Sequence, residues 1–334
     1  MRKLVLLLVC VLLALPVLGQ TTLNGAGATF PYPIYSKWFS EYGKSHPGIQ
    51  INYQSIGSGG GIRQVTAGTV DFGASDMPMT DKQLQDAKFK ILNIPTVLGA
   101  DVPAYNVPGV TGEVKFTPDA LAGIFMGRIS KWNDKAITSA NPGVNFPDKD
   151  IIVVHRSDGS GTTFIWTDYL SKVSPEWKSQ VGADTSVKWP IGMGGKGNEG
   201  VAGLIRQLSG SIGYVELIYA VQNNIPYGSV RNSSGAFVKA SLQGVTAAAA
   251  SAPKMPADFR VSITNAPGKD AYPVSSFTWL LIPQQSKDSA KGKILNDFLN
   301  WMVTDGQKMT TALSYAPLPD NVVAKVKEAI KQVR

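Results

Sequence analysis

IIVVHRSDGSGTTF, residues 151–164, is the most informative stretch of the chain. Ile151–His155 is a run of mostly β-branched residues and reads as a buried strand. It delivers Arg156, then a tight turn through Asp158 and Gly159, then a helix opening at Gly161 and continuing through Phe164–Val173. A strand that feeds a helix through a short turn is the building unit of α/β folds. The guanidinium of Arg156 is a planar five-donor fork suited to phosphate or carboxylate. Asp158 is near enough in sequence to pair with it. Ser160 and Thr162 add hydroxyls. Gly161 and Thr162 add backbone N–H groups at a helix start, where partial positive charge collects.

The same alternation extends in both directions. Ile49–Tyr53, Ile91–Leu98, Ser211–Val215 and Phe277–Ile282 read as strands. Amphipathic segments lie among them at Ile34–Tyr42, Ile62–Ala67, Pro118–Phe125, Val201–Leu208, Lys293–Val303 and Asn321–Val333. The expected fold class is α/β, with mainly parallel sheets flanked by helices. The proline-marked stretch Ile94–Gly109 and the segment Asn265–Pro273 look like crossings between two units. They divide the chain into one unit of residues 20–97 plus 268–334 and a second of residues 98–267. The last piece is too short to be independent, so it folds back onto the first. Ala247–Pro256 reads as a helix end running into a loop.

At 334 residues the chain is long for a single core and suits two domains. Only 17% of residues are charged, which argues against disorder. Arg2 and Lys3 precede an apolar run, Leu4–Leu18, that is short for a membrane span. With small residues at Val17 and Gly19, residues 1–19 read as a signal peptide cleaved before Gln20. The single cysteine, Cys10, falls inside that leader, so the remaining chain has no disulfide or thiol chemistry. The formal charge is +8, of which Arg2 and Lys3 supply two. The other basic residues are dispersed and form no nucleic-acid stripe.

Three further glycine-, serine- and threonine-rich segments stand where a strand or loop gives way to a helix. GAGATF, residues 25–30, offers N–H groups at Ala28, Thr29 and Phe30 ahead of a proline-started helix. It lacks the last glycine of a dinucleotide fingerprint. IGSGGG, residues 56–61, sets Ser58 as a cap or hydroxyl donor before a helix from about Ile62. Its glycines allow a close approach of backbone to an anion. DFGASD, residues 71–76, ends in Asp76 at the carboxyl end of a strand-like run, where open α/β sheets bind ligands. The loop Gly192–Gly197 lacks P-loop spacing and reads as structural. Ser160, His155 and Asp158 have the residue types of a hydrolase, but neither the order of a triad nor a nucleophile elbow. No His/Asp cluster suggests a metal phosphatase.

NGAGATFPYPIYSK (24–37), IGSGGGIRQ (56–64), VDFGASD (70–76), HRSDGSGTTF (155–164), WPIGMGGKGNE (189–199) and SIGYVE (211–216) occur in that order. Together they resemble the periplasmic phosphate-binding proteins of bacterial phosphate ABC importers, over nearly all of the chain after the leader. His155 before the arginine and Gly59 after Ser58 differ from commoner spellings in that family. The resemblance implies a two-lobed type II periplasmic-binding-protein fold with a ligand cleft between lobes. It implies inorganic phosphate as ligand, no cofactor or metal, and no catalysis. It also implies a periplasmic monomer whose partners are the inner-membrane permease and ATPase of the importer. Carried over position by position, ligand contacts fall at Ala28, Thr29, Phe30, Ser58, Asp76, Arg156, Ser160, Gly161 and Thr162, with Asp158 behind Arg156. Asp76 then reads the ligand's proton, because hydrogen phosphate has one to donate and sulfate has none.

Overall fold

A computed structural model describes residues 20–251 and 254–334. The leader assigned to residues 1–19, its cleavage point and part of the Ala247–Pro256 segment lie outside the described residues. Among those described, no helix is long and apolar enough to cross a membrane.

The strands are β1 (Thr21–Gly27), β2 (Ile49–Ser55), β3 (Phe72–Ser75), β4 (Ile91–Asn106), β5 (Lys115–Phe116) and β6 (Ile152–Arg156). They continue with β7 (Met193–Gly195), β8 (Ser211–Glu216), β9 (Ser229–Arg231), β10 (Phe237–Val238) and β11 (Ser275–Pro283). Eight form one sheet in the order β2-β1-β3-β11-β4-β8-β6-β7, and β10-β9-β5 form a small second sheet. Pairing within β2-β1-β3 and within β8-β6-β7 is parallel, as the strand–helix alternation leads one to expect. The centre is antiparallel, because β4 and β11 traverse the sheet in opposite directions. β7 falls within the Gly192–Gly197 loop.

β4 is 16 residues long and buried along nearly its whole length. It pairs with β11 as far as Ala100 and with β8 from Asp101 onward. The crossing foreseen at Ile94–Gly109 is therefore a continuous strand as far as Asn106. Pro95 is accommodated where the register shifts opposite Thr278 and Trp279, a place where a missing N–H interrupts no regular ladder. The return through Asn265–Pro273 runs alongside. Tyr272 donates its hydroxyl hydrogen to the Asp101 carbonyl at 2.8 Å, and the Asp101 N–H donates to the Val274 carbonyl at 2.9 Å.

Helices cover both ends of the sheet. Helix Tyr32–Ser45 turns Tyr35, Trp38, Phe39 and Tyr42 inward at spacings of three and four, the helical period. The C-terminal segment closes over it: Trp38 Nε1 donates to the Gly306 carbonyl at 2.8 Å and Tyr315 donates to the Phe30 carbonyl at 2.6 Å. Helix Gly161–Val173 buries Trp166 against Tyr214, with ring centroids 5.3 Å apart.

Helix Ser58–Ala67 begins inside the glycine run, not after it at Ile62. The reason is the proximity of its first turn to β1 and β3. A Cβ at Gly61 would lie 2.5 Å from the Ala74 carbonyl oxygen, 2.6 Å from Gly27 Cα and 2.8 Å from the Ala26 carbonyl oxygen. All three are backbone atoms that cannot swing aside. Gly61→Ala is expected to lower stability by about 1–3 kcal/mol, the usual range for overpacking. An unchanged urea midpoint followed by circular dichroism would show that the helix start moves freely.

Candidate functional site

Two helix starts, Ser58 from one side and Gly161 from the other, meet over Asp76. Asp76 follows β3 directly and is 1% exposed. Its Oδ1 accepts from Thr278 Oγ1 at 2.7 Å and its Oδ2 from Ser58 Oγ at 3.3 Å, while its N–H donates to Ser58 Oγ at 3.1 Å. Burial pushes the carboxyl up to about 7, against the pull of the Thr278 hydroxyl, the Arg156 guanidinium and the Ser58 hydroxyl. Gly161 packs straight onto this group. A Cβ there would strike Ser58 Oγ and lie 2.5 Å from Asp76 Cβ, so only glycine permits the approach.

Arg156 ends β6, 3% exposed. Asp158 holds it in a fork: Nε donates to Oδ1 at 2.8 Å and Nη2 to Oδ2 at 2.6 Å. The Gly197 N–H also donates to Asp158 Oδ1, at 3.0 Å. Burial opposes ionisation of Asp158, but the guanidinium and that amide hold its carboxyl below the ordinary range. With Nε and Nη2 engaged, Nη1 faces Thr162 and donates to Oγ1 at 3.1 Å. Ser160 caps the helix Gly161–Val173 by accepting the Thr163 N–H at 3.0 Å, which leaves its own hydroxyl hydrogen free to donate.

The segment 28–30 is brought to the same place, with one correction. Sequence reading offered the amides of Ala28, Thr29 and Phe30 alike. The β1–β3 pairing extends one residue past Gly27, so the Ala28 N–H is engaged by the Ala74 carbonyl at 3.1 Å. Among the described residues, the amides of Thr29, Phe30, Ser58, Gly161 and Thr162 donate to no protein acceptor. Those at Ser58, Gly161 and Thr162 are the first-turn N–H groups that every helix leaves unpaired. The two sides are joined by the Gly59 N–H to the Gly159 carbonyl at 2.9 Å and by Tyr219 OH to the Thr29 carbonyl at 2.6 Å.

Sequence reading missed several residues of the site. Thr278 lies mid-strand in β11, with no motif around it. Asn198 opens the helix Gly197–Gln207 and repeats the glycine-then-polar helix start seen elsewhere, a signal that was available. Asp101 and Glu216 face each other across β4 and β8, both fully buried, and burial drives both carboxyls well above their usual range. Among the described residues, no cluster of three or more His, Cys, Asp or Glu side chains is arranged to hold a metal ion.

Comparison with known proteins places the chain in a family. A PBP superfamily domain matches residues 18–306. The phosphate-binding protein PstS of Xylella fastidiosa is 49% identical over 306 residues, covering 91% of this chain and 83% of that protein. Its namesake in Haemophilus influenzae is 46% identical, with 95% of each chain covered. In fold, the solved phosphate-binding protein of Stenotrophomonas maltophilia matches with a TM-score of 0.70 at 19% identity, over 92% of this chain and 93% of that one. The two-lobed α/β architecture and the extent of these matches lead to one conclusion: the chain belongs to the PBP superfamily, in the PstS phosphate-binding protein family.

Proposed function

We propose that this chain captures hydrogen phosphate between two lobes, residues 20–97 plus 268–334 and residues 98–267, and presents it to an ABC importer. The observation that carries the reading is the meeting of two helix starts over one buried carboxyl, with a guanidinium behind them. Amides of Thr29, Phe30 and Ser58 come from the first lobe; those of Gly161 and Thr162, the Ser160 hydroxyl and Arg156 come from the second. Ala28 contributes shape only, its amide being engaged. Neither lobe completes the donor shell alone, so the anion stabilises the closed form over the open one. The closed form is what a permease and its ATPase would recognise. Processing of residues 1–19, a periplasmic location and a monomeric state belong to the same reading, which has the protein bind its ligand without turning it over.

Asp76 sets the selectivity. An ionised carboxylate can accept the hydrogen of hydrogen phosphate. Against sulfate it faces another acceptor, which costs about 2–5 kcal/mol, or roughly 30- to 5,000-fold in affinity. Its raised pKa makes the exclusion depend on pH. As pH falls through about 7, Asp76 takes up a proton and acquires a hydrogen to offer sulfate. As pH rises above that value, sulfate binding has to take up a proton and weakens by up to about tenfold per unit.

Calorimetry of the leaderless protein tests the reading. Phosphate is expected to bind and sulfate to compete poorly at pH 8. Competition by sulfate should strengthen between pH 8 and 6 in the unsubstituted protein and be flat with pH in Asp76→Asn, which admits sulfate throughout. Asp76→Asn that still excluded sulfate would refute the role given to this carboxyl. Arg156→Ala is expected to weaken phosphate binding by about 30-fold or more, since it removes the charged donor and leaves the half-buried Asp158 carboxylate with only the Gly197 amide as partner. A dissociation constant within twofold of the unsubstituted protein would place the arginine away from the ligand.

A further inference from the structure

Asn198 is fully buried in the first turn of the helix Gly197–Gln207. One bond settles which way its amide points. Oδ1 accepts the Glu216 N–H at 2.9 Å, so Nδ2 faces away with two hydrogens to donate. One is directed at Thr29 Oγ1, at 2.8 Å, and the other at Thr162 Oγ1, at 3.1 Å. Those two hydroxyls belong to the two sides of the site.

A hydroxyl has two acceptor positions and one hydrogen. Thr29 Oγ1 also accepts the Asn198 N–H at 3.3 Å, and Thr162 Oγ1 also accepts from Arg156 Nη1 at 3.1 Å. Both acceptor positions of both hydroxyls are therefore taken. All that either has left to offer a ligand is its hydrogen. We propose that Asn198 is a positioning residue that fixes the hydroxyls of Thr29 and Thr162 as donors to the anion, one from each lobe. Donors held in this way need no reorientation when the ligand arrives, which is the advantage of preorganised dipoles. They also set specificity, because a ligand presenting a donor at either point meets a hydrogen. By holding Thr29 and Thr162 together, the same amide couples binding to closure. The inference rests on the phosphate reading above and adds to it a residue that acts through two others.

The test is a double-mutant cycle read by phosphate calorimetry on the unsubstituted protein, Asn198→Ala, Thr162→Val and the double variant, with ligand-free melting temperatures recorded alongside. Each single substitution is expected to weaken phosphate binding about 30-fold. The double should weaken it by about 100-fold, well short of the thousandfold product, because without Asn198 one acceptor position of Thr162 falls open and its hydrogen is no longer committed to the anion. Losses that simply multiply, or Asn198→Ala within twofold of the unsubstituted protein, overturn the proposal whatever happens to the melting temperature. Asn198→Asp, of the same size, covers the case in which the alanine variant does not fold. Its carboxylate accepts from both hydroxyls and turns their hydrogens away from the anion, so it should bind phosphate more weakly than Asn198→Ala. Unchanged affinity in Asn198→Asp overturns the proposal on its own. An unsubstituted protein that binds no phosphate removes the functional reading and this inference together, whereas normal binding with insensitive Asn198 variants removes only the inference.

Discussion

A polar group taken out of water is costly unless it is paired, and Asp76, Arg156, Ser58, Thr162 and Asn198 are buried together. The site is organised by that constraint. Some groups are satisfied locally: Arg156 by Asp158, and Asp76 by Thr278 and Ser58. Others are satisfied only across the join, as when Asn198 reaches both Thr29 and Thr162. The first-turn amides at Ser58, Gly161 and Thr162 belong to neither class. They are the groups that the proposed hydrogen phosphate would complete, and helix starts are suited to that because their N–H groups and partial positive charge coincide.

The sheet is the frame that makes this possible. β4 changes partner between Ala100 and Asp101, and the return segment lies against it through Tyr272 and Val274. Asp101 and Glu216 sit at this crossing. Burial favours the neutral forms of both carboxyls.

Much of this was legible in the sequence. Ile151–His155 carries enough β-branched side chains to be read as a strand whatever its neighbours, and the helix beginning at Gly161 follows from Ser160 and the apolar spacing behind it. The helices at Tyr32–Ser45 and Pro118–Phe125 were visible for the same reason. β1 was not. Its sequence TTLNGAG has two glycines and an asparagine, poor strand formers that are held extended by β2 on one side and β3 on the other. The continuation of β4 past Leu98 was hidden by Pro103 and Pro108, yet Pro103 pairs in regular register with Tyr214, a placement that only the neighbouring strand provides.

By itself the sequence determined the local chemistry of this protein: which hydroxyls, amides and charged groups stand near the helix starts, and that Arg156 has Asp158 within reach. These depend on neighbours a few residues apart. Only the tertiary structure decided which of them converge. It took the Ala28 amide out of service by pairing it with Ala74, brought Thr278 to Asp76 across 202 residues, and inserted Asn198 between Thr29 and Thr162. Such choices belong to the pairing of strands and the packing of helices, and the partner of a buried hydrogen bond is not written in the residues around either of its ends.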